Sequence, residues 1–152
     1  MPDRLEITSD DVDAVVGWTV IRAARRAARL LGAALAPHSL TPVEFGVLVQ
    51  LAAARGELTQ AEVARAVEIR PQSVAPVIEG LNGRGLLNRE GERGRGRSGR
   101  LLLSDAGSDL LQAALPALLA TNPAFQGGAE NPAAVNRALL AFLEQEQGPK
   151  ER

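Results

Sequence analysis

The sequence predicts a mainly α-helical fold that carries one small β-hairpin. Alanine and leucine supply 48 of the 152 residues, whereas valine, isoleucine and threonine supply 21. That balance favours helix over sheet. Apolar residues recur at i, i+3, i+4 and i+7, as in Val74, Val77, Ile78 and Leu81, the spacing of one helix face. One segment breaks this pattern. Leu86-Leu87 and Leu101-Leu102-Leu103 bracket a stretch of alternating glycine and arginine, which reads as two short strands joined by a loop.

The elements follow in order. A first helix is expected from Ser9 or Asp10 to about Ala36, with acids in its first turn and Pro37 as its stop. Its apolar stripe runs from Val12 through Val16, Ala23 and Ala27 to Leu31 and Ala34. Such length in a small domain suggests an apolar face that meets a partner chain. Thr41-Pro-Val-Glu44 is a capping box with proline at the first helical position, and it opens a helix ending near Gly56. Thr59-Gln-Ala-Glu62 is a second capping box and opens a short helix through Val63 and Val67. The next helix carries Val74 to Leu81 and closes at Gly83-Arg84-Gly85. After the hairpin, Ser104 caps a helix to about Ala120, with a kink expected at Pro116. Asn131-Pro132 starts a last helix through Val135, Leu139 and Phe142.

Composition excludes several function classes. Cysteine is absent, so thiolate metal sites, cysteine nucleophiles and thiol redox switches are ruled out. His38 is the one histidine, which excludes a zinc site built on several imidazoles. There is no phosphate-binding loop and no nucleophile elbow, and the Gly-x-Gly pairs lie in a charged hairpin rather than between strand and helix. The sequence therefore predicts neither an enzyme nor a cofactor. No apolar run is long enough to span a bilayer, and the acidic start MPDRLEITSDD is unlike a signal peptide. The expected setting is cytoplasmic.

Net charge is −1, but the charge is unevenly placed. Six arginines lie between Arg84 and Arg100 against Glu90 and Glu92, a local net of +4. Arg22, Arg25, Arg26 and Arg29 form a second cluster, read as a solvated helix face. Local basic clusters are the footprint of a nucleic-acid contact when the whole chain is near neutral. Two short capped helices before a basic hairpin are arranged as in a winged helix-turn-helix.

The runs LTPVEFGVLVQLA, LTQAEVARAV, PQSVAPVIEGLNGRGLLNR and RSGRLLLSDAG resemble the MarR family of bacterial transcription regulators, over about Leu40 to Gly107. The most specific pieces are Leu81-x-x-Arg84-Gly85-Leu86 and Arg97-Ser98-Gly99-Arg100 followed by Leu103-Ser104-x-Ala106-Gly107. The resemblance implies a winged helix-turn-helix lobe over 38–104, flanked by dimerisation helices at 9–37 and 105–147. It implies a homodimer that binds a near-palindromic double-stranded operator, with recognition helices in successive major grooves. It implies a repressor released by a small ligand. Arg97 would enter a minor groove, while Arg93, Arg95 and Arg100 would meet phosphates. Arg70, Gln72 and Ser73, with Arg84 at the far end, would serve the recognition helix. The family's effector pocket lies between the dimerisation helices and the DNA-binding lobe, and Trp18, Arg22, His38 and Phe45 are the candidates to line it. Arginine beside an aromatic ring would suit a small aromatic or anionic ligand.

Two residues depart from the family pattern. Its acidic wing residue is Arg95 here, so the pair that acid makes with the wing arginine is lost. Pro76 falls inside the recognition helix, which requires either a late start capped by Ser73 or a kink. Gly80 and Gly83 weaken that helix further, and Glu79 brings a negative charge to it. Pro76 and the two glycines favour the competing reading, a winged-helix protein–protein module that has lost specific DNA binding, and the intact arginine wing is the feature against it.

Overall fold

The computed structural model of the chain describes residues 6–90, 99–126 and 131–145. Its first helix, α1 (Ser9–Asp13), is opened by a capping box at Thr8. The Thr8 N–H and hydroxyl both donate to Asp11 Oδ2, at 2.9 and 2.7 Å. The hydroxyl and then the N–H hold the Asp11 carboxyl below its ordinary range. The helix thus starts at Ser9, as the sequence predicts. A correction concerns the expected unbroken helix to Ala36. Val15 takes an extended conformation and α2 (Val16–Leu35) starts afresh after it. The break falls among Val12, Val15, Val16 and Gly17, residues of weak helix propensity. A 3₁₀ turn at Ala36–His38 ends α2, and Ser39 closes that turn in the left-handed region at φ 53°.

α3 (Pro42–Ala54) begins at the Thr41–Glu44 capping box, as the sequence predicts. It ends at Arg55, which adopts φ 49°, so arginine rather than Gly56 makes the left-handed turn. The two-residue strand β1 (Leu58–Thr59) was not expected. Next come α4 (Gln60–Ala66), α5 (Pro71–Gly83), β2 (Leu87–Glu90) and β3 (Arg100–Leu103). β3 lies between β1 and β2, antiparallel to both, with Leu58 and Arg89 on either side of Leu101. α6 (Asp105–Leu119) is capped by Ser104 and continues through Pro116. Beyond a 3₁₀ turn at Asn122–Phe125 lies α7 (Pro132–Gln145), whose Ala134 N–H donates to Asn131 Oδ1 at 3.0 Å.

One core joins these parts. Leu35, Val47, Leu48, Leu51, Val63, Val74, Ile78, Leu81, Leu87 and Leu101 are all within 2% of full burial. They come from the end of α2 and from α3, α4, α5 and the sheet, and Leu111, Ala114 and Leu118 of α6 close the cluster. Gly107 brings α6 against the hairpin. A Cβ there would overlap the Leu86 carbonyl oxygen, so only glycine fits. Ser104 Oγ donates to the Gly85 carbonyl at 2.7 Å and accepts from the Gly107 N–H at 3.0 Å. Gly85 itself stands at φ 70°, which favours glycine.

Helices elsewhere keep large apolar surfaces bare. Val15, Val16, Trp18 and Ile21 near the start of α2 are exposed, as are Leu115 and Leu119 of α6. No described residue of α7 is buried, and its Phe142 is 55% exposed. Among the described residues, no helix is long and apolar enough to cross a membrane.

Candidate nucleic-acid interface

α4 and α5 form a helix-turn-helix whose turn is built by local hydrogen bonds. The Ile69 N–H donates to the Ala64 carbonyl at 3.1 Å, and Glu68 takes φ 55° to complete the turn. Arg70 is the N-cap residue of α5 and Pro71 its first helical residue. Val74, Ile78 and Leu81 anchor α5 in the core. The opposite face leaves Gln72, Ser73, Pro76, Glu79, Gly80 and Gly83 exposed. Pro76 neither delays nor ends the helix, since α5 begins at Pro71 and runs seven residues past it. The late start at Ser73 does not occur. Pro76 still lacks an N–H, so the Gln72 carbonyl receives no helical hydrogen bond from it.

Arg70, Gln72 and Ser73 come together at the exposed start of α5, where the sequence places them. The arginines at the base of the hairpin have partners within the chain. Arg84 donates to Glu44 Oε1 at 3.2 Å and to the Ser39 carbonyl at 2.8 Å, which joins the end of α5 to the start of α3. Arg100 lies 3.1 Å from Glu57 beside β1. Arg89 was not among the sequence candidates. It lies 2.9 Å from Glu79 and 3.4 Å from Gln60 Oε1, so it ties β2 to α5 and α4. Its alternation with Leu87 along β2 turns it to the inner face, where its Nε is buried without a partner. That alternation was the available signal. Arg93, Arg95 and Arg97 lie outside the described residues.

Glu62 at the start of α4 is held below the ordinary glutamate range. The Thr59 N–H and then the Thr59 hydroxyl donate to it, and Arg100 and Arg65 add smaller attractions. This face therefore presents a fixed carboxylate beside the hairpin base.

The four expected effector residues do not converge. Phe45 lines an apolar groove of about 570 Å³ between α2, α3, α6 and α7. Leu31, Leu35, Leu118, Phe125 and Leu139 also line it, and among the described residues its polar lining is Thr121, Asn122 and Asn136. Arg22 instead pairs with Asp13 at 2.9 Å, on a basic face of α2 shared with Arg25, Arg26 and Arg29. Trp18 remains exposed, with the Arg25 guanidinium 5.7 Å from its ring centre. His38 lies in the 3₁₀ turn and does not line the groove. The separation follows from helix geometry. Arg22 and Leu31 project from opposite faces of α2, so they cannot line one cavity of the same protomer. Among the described residues no cluster could hold a metal ion.

A helix-turn-helix backed by a three-stranded hairpin sheet defines a winged-helix protein. Residues 38–98, which hold the helix-turn-helix, match the MarR family. The chain is similar to a MarR-family transcriptional regulator from Rhodococcus sp. RHA1, with TM-score 0.77 and 19% identity over 95% of this chain and 99% of that one. It is also similar to the transcriptional repressor CouR bound to a 23-mer DNA duplex. That match has TM-score 0.73 and 28% identity over 92% and 97% of the two chains. A probable transcriptional regulator from Pseudomonas aeruginosa matches with TM-score 0.72 and 28% identity over 87% and 98%. No curated protein matches the chain.

Proposed function

We propose that this chain is a ligand-responsive, homodimeric, cytoplasmic regulator that binds double-stranded DNA sequence-specifically and represses transcription by excluding polymerase. The observation that carries this reading is the exposed outer face of α5, held between α4 and the hairpin by a full core on its other side. A recognition helix needs that presentation to enter a major groove. The DNA-bound CouR, similar over nearly the whole chain, supports it. Arg70, Gln72 and Ser73 act at the start of α5, and Arg93, Arg95 and Arg97 act from the segment between β2 and β3. Arg84 and Arg100 serve by holding the lobe together.

The bare apolar residues of α2, α6 and α7 support a homodimer, because a lone chain would leave this surface in water. The effector site is the groove beside Phe45. Among the described residues its lining carries no charged side chain, which favours an apolar ligand with one or two hydrogen-bonding groups over a carboxylate held by Arg22. Ligand release is a population shift in the spacing of the two recognition helices.

The test is fluorescence anisotropy with a labelled duplex from the region upstream of the protein's own gene, at several salt concentrations, against a scrambled duplex. Preference for the native duplex by about 10³-fold or more, with steep salt dependence, is the expected result. Absence of binding even at low salt would overturn it and favour a protein partner.

A further inference from the structure

We infer that Gln72 and Pro76 are the base-reading pair of α5 and that they select an A·T-containing half-site. The inference rests on the DNA-binding reading above and adds to it the bases that are read.

The outer face of α5 carries few side chains able to read a base. Gln72 and Pro76 are four residues apart and both are exposed, so they lie on one line along the helix. Gly80 and Gly83 flank the rest of that line, and a Cβ at either would meet nothing within 4 Å. The protomer's packing therefore does not demand a glycine at either place, and the groove is met by backbone alone there. Glu79, the one charged residue on this face, is taken up by Arg89 at 2.9 Å. No arginine or lysine stands on the helix from Pro71 to Gly83.

Arg70 stands at the N-cap, ahead of this line. Guanine is read in the major groove chiefly by arginine or lysine, and neither stands on the line of Gln72 and Pro76. Adenine is read by a carboxamide that donates to N7 and accepts from N6, which Gln72 supplies. Thymine is distinguished by its C5 methyl group, which takes apolar contact. The Pro76 ring is the bulky apolar group on the exposed line. Its place inside the helix removes a backbone hydrogen bond, and it contributes nothing to the buried core. A ring held there is accounted for by a contact outside the chain. Residues four apart are about 6 Å apart along a helix, close to two base steps. Each half-site should thus contain an adenine and a thymine about two steps apart.

The test uses the full chain and a pool of randomised duplexes, with the bound fraction recovered and sequenced. The expected half-site holds the adenine and thymine at that spacing. In the recovered duplex, thymine is then replaced by uracil, which removes only the methyl group. Wild-type binding should fall about fourfold per half-site, and Pro76→Ala should not distinguish the two duplexes. Replacing the adenine by 7-deazaadenine should weaken the wild type about tenfold and leave Gln72→Ala indifferent. Both variants keep the core and can be checked for native melting. Enrichment of G·C at these positions, or a silent uracil substitution, would overturn the inference while leaving specific DNA binding intact. A pool with no enriched sequence would overturn both.

Discussion

At Gly107 a hydrogen atom stands where any other residue would place a carbon on the Leu86 carbonyl oxygen. Gly107→Ala should therefore destabilise the protein by about 1–3 kcal/mol, because neither the backbone of Leu86 nor the α6 cap can yield cheaply. Urea unfolding of the two proteins measures this, and an unchanged midpoint would mean that α6 docks elsewhere. The sequence marks Gly107 through its family motif but does not show what it touches. The arginines make the same point. Arg84, Arg89 and Arg100 look alike in a basic run, yet each is matched to a carboxylate on another element: Arg84 and Arg100 to the distant Glu44 and Glu57, Arg89 to Glu79 of the preceding helix. Such pairs depend on tertiary packing and leave no local signature. The pairing also reduces the free charge that the +4 count suggests at the hairpin base.

Among the elements, those with chemical punctuation were legible. Thr41–Glu44 and Thr59–Glu62 are reciprocal caps that need only four consecutive residues, and both form as expected. The Glu62 cap has a consequence for pH. Its carboxyl is depressed in the folded state, so its contribution is complete above the ordinary glutamate pKa of about 4.3 and fades as pH falls through the lower folded value. Glu62→Gln should narrow its stability gap to the wild type as pH drops from 5 towards 3, followed by thermal melting across that range. A gap independent of pH would remove the ionised cap from the account. Elements formed by partners elsewhere were not legible. β1 exists because β3 is beside it, and the break at Val15 comes from a small excess of extended preference over helix. Pro76→Ala should stabilise α5 by up to about 3 kcal/mol, since it restores an N–H to a helix that already continues past the site. A loss of stability would show that the ring packs against the chain.

For the whole molecule, the exposed apolar residues of α2, α6 and α7 set the main expectation. Leu139→Glu with Phe142→Glu should convert a dimer to a monomer in sedimentation velocity while the winged-helix core stays folded, because neither residue belongs to it. Unchanged sedimentation as a dimer would move the interface off α7. Loss of paired half-site binding should accompany dissociation, because each protomer then reads its half-site alone. The fold class was legible at this scale because the order of capped helices and hairpin is local information. Of the residues the sequence put forward for a ligand pocket, only Phe45 lines the apolar groove, because its other walls come from distant parts of the chain and Arg22 lies on the opposite side of its helix.

The guanidinium of Arg84 joins the last residues of α5 to Glu44, which sits between Pro42 and Phe45 in the first turn of α3. Both of those neighbours line the apolar groove. Groove wall and helix end thus share one fastening, through which a displacement of either can reach the other. Thermodynamic reciprocity then applies: whatever factor a molecule in the groove takes from the affinity of α5 for its target, the target must take from the affinity of the groove. A duplex in hand would therefore serve as an assay for groove ligands, and a groove ligand as an assay for the duplex.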